Sequence, residues 1–155
     1  MSSATPSPPS LGFLLKRAQH AFRTRLDDAL RSLGLTAPQF AVLAAVDRDA
    51  GISNAELARL AFVTAQSMQG ILANLERGGL LARTPHPQHG RILRSVLTED
   101  GRVVFEQARL RVAEIEGILA QAIGPDDAPH FAEMLSSCAD RLSARAVRPK
   151  PAGLR

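Results

Sequence analysis

Cysteine is nearly missing from this sequence: Cys138 is the only one, so no disulfide can close within the chain and a stapled secreted scaffold is excluded. Long apolar runs are missing too. The longest near-candidate, Ala41–Val46, is far shorter than the ~20 residues a membrane-spanning helix needs. The opening M-S-S-A-T-P-S-P-P-S has neither a basic stretch nor an apolar core, so it does not form a secretory signal. Residues 1–10 are expected to be a disordered lead-in to a cytoplasmic protein, and the Pro- and Arg-rich residues 146–155 a frayed tail. Catalytic signatures are likewise absent: there is no G-x-x-x-x-G-K-[ST] and no G-x-S-x-G. The acid pairs Asp27-Asp28, Asp47/Asp49 and Asp126-Asp127 fall at helix ends or in turns, where carboxylates cap and solvate. His86 and His89 stand three apart in a proline-containing loop with no cysteine or nearby acid to complete a metal shell. Neither an enzyme nor a metal or cofactor protein is expected.

What is present is ordinary globular material, 45% hydrophobic and 22% charged, which excludes wholesale disorder. A net charge of +4 is mild, but its distribution is uneven: from Ile52 to Thr98 there are five Arg against two Glu and no Asp. A polyanion would bind there. Leu15, Ala18, Phe22, Leu26, Ala29, Leu30 and Leu33 recur at helical steps, predicting one long helix over 11–33 that Gly34 stops. Thr36-Ala-Pro-Gln39 and Ser53-Asn-Ala-Glu56 read as capping boxes opening two further helices. Thr64 caps a fourth, whose stripe of Met68, Ile71, Leu72 and Leu75 lies on one helical face. Leu80–Thr84 and Ile92–Leu97 are β-capable runs around a Pro/His/Gly loop. A long helix from Thr98 carries Phe105, Ala108, Val112, Ile115, Leu119 and Ile123 inward, and a last helix carries Phe131, Met134, Leu135, Cys138 and Leu142. On that stripe Cys138 reads as a buried structural thiol.

Residues 53–98 therefore run short helix, tight turn, second helix, hairpin. A helix-turn-helix lays its second helix in the major groove, where the outward face must carry small or hydrogen-bonding side chains. Here that face is Ala65, Gln66, Ser67, Gln69, Gly70, Ala73 and Asn74, free of acid until Glu76. The hairpin adds Arg83, Arg91 and Arg94 with no acid between Leu80 and Thr98, which suits a narrow, electronegative minor groove. The candidate DNA-contacting set also includes Ser53 and Asn54 at the start of the first helix of the motif, and Thr64 at the start of the second.

The stretches Leu35-Thr-Ala-Pro-Gln-Phe40, Ser53-Asn-Ala-Glu-Leu-Ala58, Leu75-Glu-Arg-Gly-Gly-Leu-Leu-Ala-Arg83 and Gly90-Arg91, followed by Leu97-Thr-Glu-Asp-Gly101, occur in that order. Together they resemble the MarR family of bacterial winged-helix transcriptional regulators, over residues 11 to about 145. The resemblance implies a mainly α fold: a winged helix-turn-helix with a two-stranded β-wing (residues 36–100) and long N- and C-terminal dimerisation helices (11–34 and 102–145). It also implies a homodimer on a pseudo-palindromic operator, most often as a repressor, and often release by a small aromatic or amphipathic effector. Recognition-helix roles fall on Gln66, Ser67 and Gln69, and the wing role on Arg91. One departure is visible: many members carry an acid two places before the wing Arg, and here that position is His89. For an effector, His20 and Arg23 lie one turn apart on the first helix and, with Phe40, are candidates to line a cleft below the dimerisation region. The alternative reading from another class is a protein–protein adaptor that kept the winged helix and lost DNA binding.

Overall fold

The capping signals set the helix boundaries. In the computed structural model, which describes residues 9–85 and 93–144, Ser10 accepts a hydrogen bond from the Phe13 amide and starts α1, Leu11–Arg31. Gly34, at φ +70°, lets the Leu35 amide turn back to the Leu30 carbonyl and ends the helix. Both capping boxes form as the sequence predicts. Thr36 exchanges bonds with Gln39 to open α2, Ala37–Arg48, and Ser53 does so with Glu56 to open α3, Asn54–Leu60. Each such N-cap contributes about 1 kcal/mol. Thr64 accepts from the Ser67 amide and opens α4, Ala65–Arg77, which ends at Gly78-Gly79 with Gly79 at φ +71°.

Strands β1, Leu81–Pro85, and β2, Leu93–Leu97, pair antiparallel with Leu81 opposite Leu97 and Thr84 opposite Arg94. Helices α5, Glu99–Ile123, and α6, Ala128–Ala144, complete the order. The loop between the strands, including His86, His89 and Arg91, lies outside the described residues, as do both chain ends.

The chain divides into two units between Ile115 and Glu116, inside α5. In the first, Leu30, Leu35, Val42, Leu43, Leu57, Met68, Leu72, Leu75, Leu81, Leu97 and Phe105 are buried in one apolar core. Each such large side chain contributes roughly 1.5–3 kcal/mol. Phe40 packs its ring 5.9 Å from that of Phe105, tying α2 to α5. Arg111 on α5 donates from one guanidinium nitrogen to the Ala29 carbonyl and to the Ser32 hydroxyl, pinning the end of α1.

The second unit looks different taken by itself. None of the described side chains on α6 is buried; Met134, Leu135 and Leu142 are 46%, 39% and 70% exposed. Cys138, expected in a buried stripe, is exposed, which corrects the reading of it as a buried thiol. The helical period that put it on the apolar face is real, but the described residues of the second unit do not cover that face.

Candidate nucleic-acid interface

Helix α4 is held from beneath and left bare on top. Met68, Leu72 and Leu75 are essentially inaccessible, at i, i+4 and i+7. Ala65, Gln66, Ser67, Gln69, Gly70, Ala73 and Asn74 are all exposed on the other side. The Thr64 hydroxyl accepts from the Ser67 amide at 3.1 Å and donates to the Ser67 hydroxyl at 2.9 Å. Ser67 therefore keeps its own hydroxyl proton to offer outward. At the far end, Arg77 donates to the Asn74 side-chain oxygen at 3.0 Å, so the Asn74 NH2 is the half left for an external acceptor. Arg77 was not among the residues expected from sequence; its signal is its place one turn after Asn74.

Helix α3 packs against α4. Leu57 and Ala58 enter the core, and Ser53 and Asn54 stand exposed at its N-terminus. The Ser53 hydroxyl is already engaged: it donates to Glu56 Oε2 at 2.6 Å, and the Ser53 amide reaches the same oxygen at 3.1 Å. These bonds hold the Glu56 carboxyl below its ordinary pKa, first through the Ser53 hydroxyl, then its amide, with the Arg59 charge adding to them. Between α3 and α4 the chain passes through Phe62 at φ +53°. A bulky residue in that left-handed region costs roughly 1–2 kcal/mol, and its ring is 96% exposed.

The wing arginines are not alike. Arg83 on β1 donates from Nε to Glu76 Oε1 of α4 at 2.6 Å, so it has the counter-acid that the hairpin sequence alone lacks. It ties β1 to α4. Arg94 on β2 is half-buried, and neither its Nε nor the Thr84 hydroxyl, on the facing residue, has a partner among the described residues. Arg91 lies outside the described residues.

The root of the wing is clipped to α5. The Thr98 hydroxyl donates to the Gly79 carbonyl at 2.5 Å and accepts from the Gly101 amide at 2.9 Å, while the Thr98 amide donates to the Leu80 carbonyl at 3.2 Å. Gly101 is buried against that same Leu80 carbonyl, in space a Cβ would have to occupy.

Of the effector candidates, Arg23 lines a cavity. A pocket of about 330 Å³ is lined by Phe22, Arg23 and Leu26 of α1, Ala37 and Pro38 of α2, Leu60 at the end of α3 and the following Ala61 to Val63. Arg23 is held there by Asp27, through its Nε alone, at 2.9 Å. His20 is exposed and not part of the lining, and Phe40 faces Phe105 instead. The three are not brought together.

A helix-turn-helix with a bare polar second helix and a β-hairpin beside it defines a winged-helix DNA-binding domain. The family model described as MarR family matches residues 33–92. The HTH-type transcriptional repressor Rv2887 of Mycobacterium tuberculosis (strain ATCC 25618 / H37Rv) is 39% identical over 116 residues, 74% of this chain and 84% of the relative. A crystal structure of Rv2887 in complex with salicylic acid matches with a TM-score of 0.69 at 34% identity, covering 85% of this chain and 98% of that one. The transcriptional repressor CouR bound to a 23-mer DNA duplex matches with a TM-score of 0.73 at 30% identity, covering 84% and 92%. The chain belongs to the MarR family of winged-helix transcriptional regulators.

Proposed function

We propose that the protein is a cytoplasmic repressor that binds a pseudo-palindromic operator as a homodimer and carries out no catalytic step. The observation that carries this reading is the outward face of α4, polar, short-chained and without a charge from Ala65 to Leu75. Gln66, Ser67 and Gln69 read base edges, Gln through the paired donor and acceptor it offers adenine. Asn54 and the helix starts at Ser53 and Thr64 meet phosphate, and Arg91 and Arg94 serve the wing. Residues 11–34 and 102–145 form the dimerisation region around the DNA-binding segment 36–100. The salicylic acid complex of Rv2887 and the Arg23 cavity support a small aromatic carboxylate as effector. Such a ligand lowers operator affinity if it binds the DNA-incompetent arrangement more tightly.

Fluorescence anisotropy with duplexes from the protein's own upstream region tests the reading. Gln69→Ala is expected to cost about 1–3 kcal/mol on the cognate duplex and little on a scrambled one. Arg91→Ala is expected to weaken both and make the salt slope shallower by about one unit per monomer. If no upstream fragment binds more tightly than scrambled DNA, the regulator reading fails and the adaptor reading takes its place.

A further inference from the structure

Arginine carries only hydrogen-bond donors, so the atom of Asn74 that meets Arg77 at 3.0 Å has to be the amide oxygen. That contact fixes which way round the amide lies. We propose that Arg77 is a positioning residue for operator recognition, holding Asn74 as a donor-only group that selects guanine at one position of each half-site. The proposal rests on the reading of α4 as a major-groove helix and adds a specificity to it.

Three observations support it. The first is polarity. A free asparagine pairs with adenine through both ends of its amide, the oxygen accepting from N6 and the nitrogen donating to N7. Here the oxygen is occupied, and the positive charge beside it turns away a second donor. What remains is an NH2 group. It finds two acceptors, O6 and N7, on guanine, and on adenine it meets an opposing amino group.

The second is that Arg77 has no carboxylate to turn to. Glu76, its neighbour in sequence, is bonded to Arg83 at 2.6 Å, and Arg77 makes no ion pair among the described residues. One turn before Arg77 stand Ala73 and Asn74, so the Asn74 oxygen is the side-chain acceptor that helical spacing offers it.

The third is relief. Gln66, Gly70, Ala73 and Arg77 follow one another at helical steps along the exposed face, opposite Met68, Leu72 and Leu75. Gly70 and Ala73 leave the middle of that row bare, and nothing stands within 4 Å of where a Gly70 Cβ would be. Backbone this uncovered can settle close to base edges. Asn74, one turn after Gly70, is a short side chain that needs such closeness to reach them.

Selection of duplexes from a random pool by the purified full-length protein, followed by sequencing, reads the base preferred at every position. Asn74→Ala is expected to flatten one position per half-site, where the parent prefers guanine over adenine by about tenfold. Arg77→Met keeps the side-chain stem and removes the donors. It is expected to cut that ratio by about fivefold or more as the freed amide accepts adenine, while Arg77→Lys, still a donor, retains it. Both residues are exposed, so the unfolding midpoints of these variants are expected to stay with the parent.

The inference is overturned if Asn74→Ala weakens selected and scrambled duplexes alike, because the amide then meets phosphate. It is overturned equally if the position that Asn74→Ala flattens favours another base, or if Arg77→Met leaves the guanine preference intact. In each of these cases the regulatory reading survives. A parent that selects no sequence from the pool overturns the major-groove reading itself, and this assignment with it.

Discussion

Helices α4 and α6 carry apolar stripes of the same helical period, yet the stripes meet different fates. Met68, Leu72 and Leu75 of α4 are at most 1% exposed, while Met134, Leu135 and Leu142 of α6 are 39% to 70% exposed. The first stripe is covered by elements of its own unit, α2, α3 and β1. The second has no cover among the described residues of its own unit. Periodicity says which face of a helix is apolar; it does not say whose atoms will cover it. An uncovered stripe of this kind calls for a second copy, the occupant proposed above.

That contrast can be broken most directly by truncation on each side. Leu72→Ala is expected to cost about 2–5 kcal/mol in urea unfolding, because it opens a cavity in a closed core. The loss should not depend on protein concentration. Leu135→Ala should act differently, lowering the melting temperature mainly on dilution as the dimer comes apart. If both variants lose the same stability at every concentration, the stripe of α6 is covered within the chain and the comparison is wrong.

A second substitution asks how tightly the DNA-binding segment is jointed to α5. Gly101→Ala sets a methyl group against the Leu80 carbonyl, a backbone atom that cannot swing away. The expected cost is about 1–3 kcal/mol, with a parallel loss of operator affinity. Equal stability with intact DNA binding would show that the joint has slack.

The wing tether is smaller. A double-mutant cycle on Glu76→Gln and Arg83→Ala should give a coupling of about 0.2–1 kcal/mol, since both side chains are partly in water. A coupling of zero would return Arg83 to the pool of unopposed wing charges.

The smallest effect concerns pH. Because the Ser53 bonds depress the folded pKa of Glu56, the cap's contribution is complete above the ordinary carboxylate range. It is lost as pH falls through the depressed value. Glu56→Gln keeps an acceptor for the Ser53 amide and removes the titration, so its unfolding free energy should lose part of the acid slope seen in the parent. An unchanged slope below about pH 4.5 would assign the acid sensitivity elsewhere.

The elements were legible in the sequence because their ends are written in local chemistry. Thr36, Ser53 and Thr64 each sit three residues before the amide they cap, and Gly34 and Gly79 supply the left-handed turns. The polar face of α4 was equally legible, being the complement of its buried stripe. What escaped depends on atoms far apart in the chain. The Glu76–Arg83 pair spans a helix end and a strand start, and no short-range spacing rule joins them. Phe40 was read as cleft lining because it is aromatic and near α1, but the ring of Phe105, sixty-five positions later, claims it. The exposure of Cys138 could not be read from a period that fits it perfectly well. Phe62 escaped for another reason: left-handed backbone is signalled by glycine, and here the residue is one that avoids it.

The Thr98–Gly79 clip turns the start of α5 into a fulcrum. The Thr98 hydroxyl bridges the end of α4 to the first turn of α5, and Gly101 lies flush against Leu80, so the two helices share one anchor at that point. From Thr98 to Ile115 the helix is an arm of about 25 Å. A displacement of about 2 Å at Ile115 corresponds to a rotation of roughly five degrees at the joint, where the end of α4 is bonded to Thr98. A tilt of α5 about that anchor therefore has the end of α4 as its nearest neighbour.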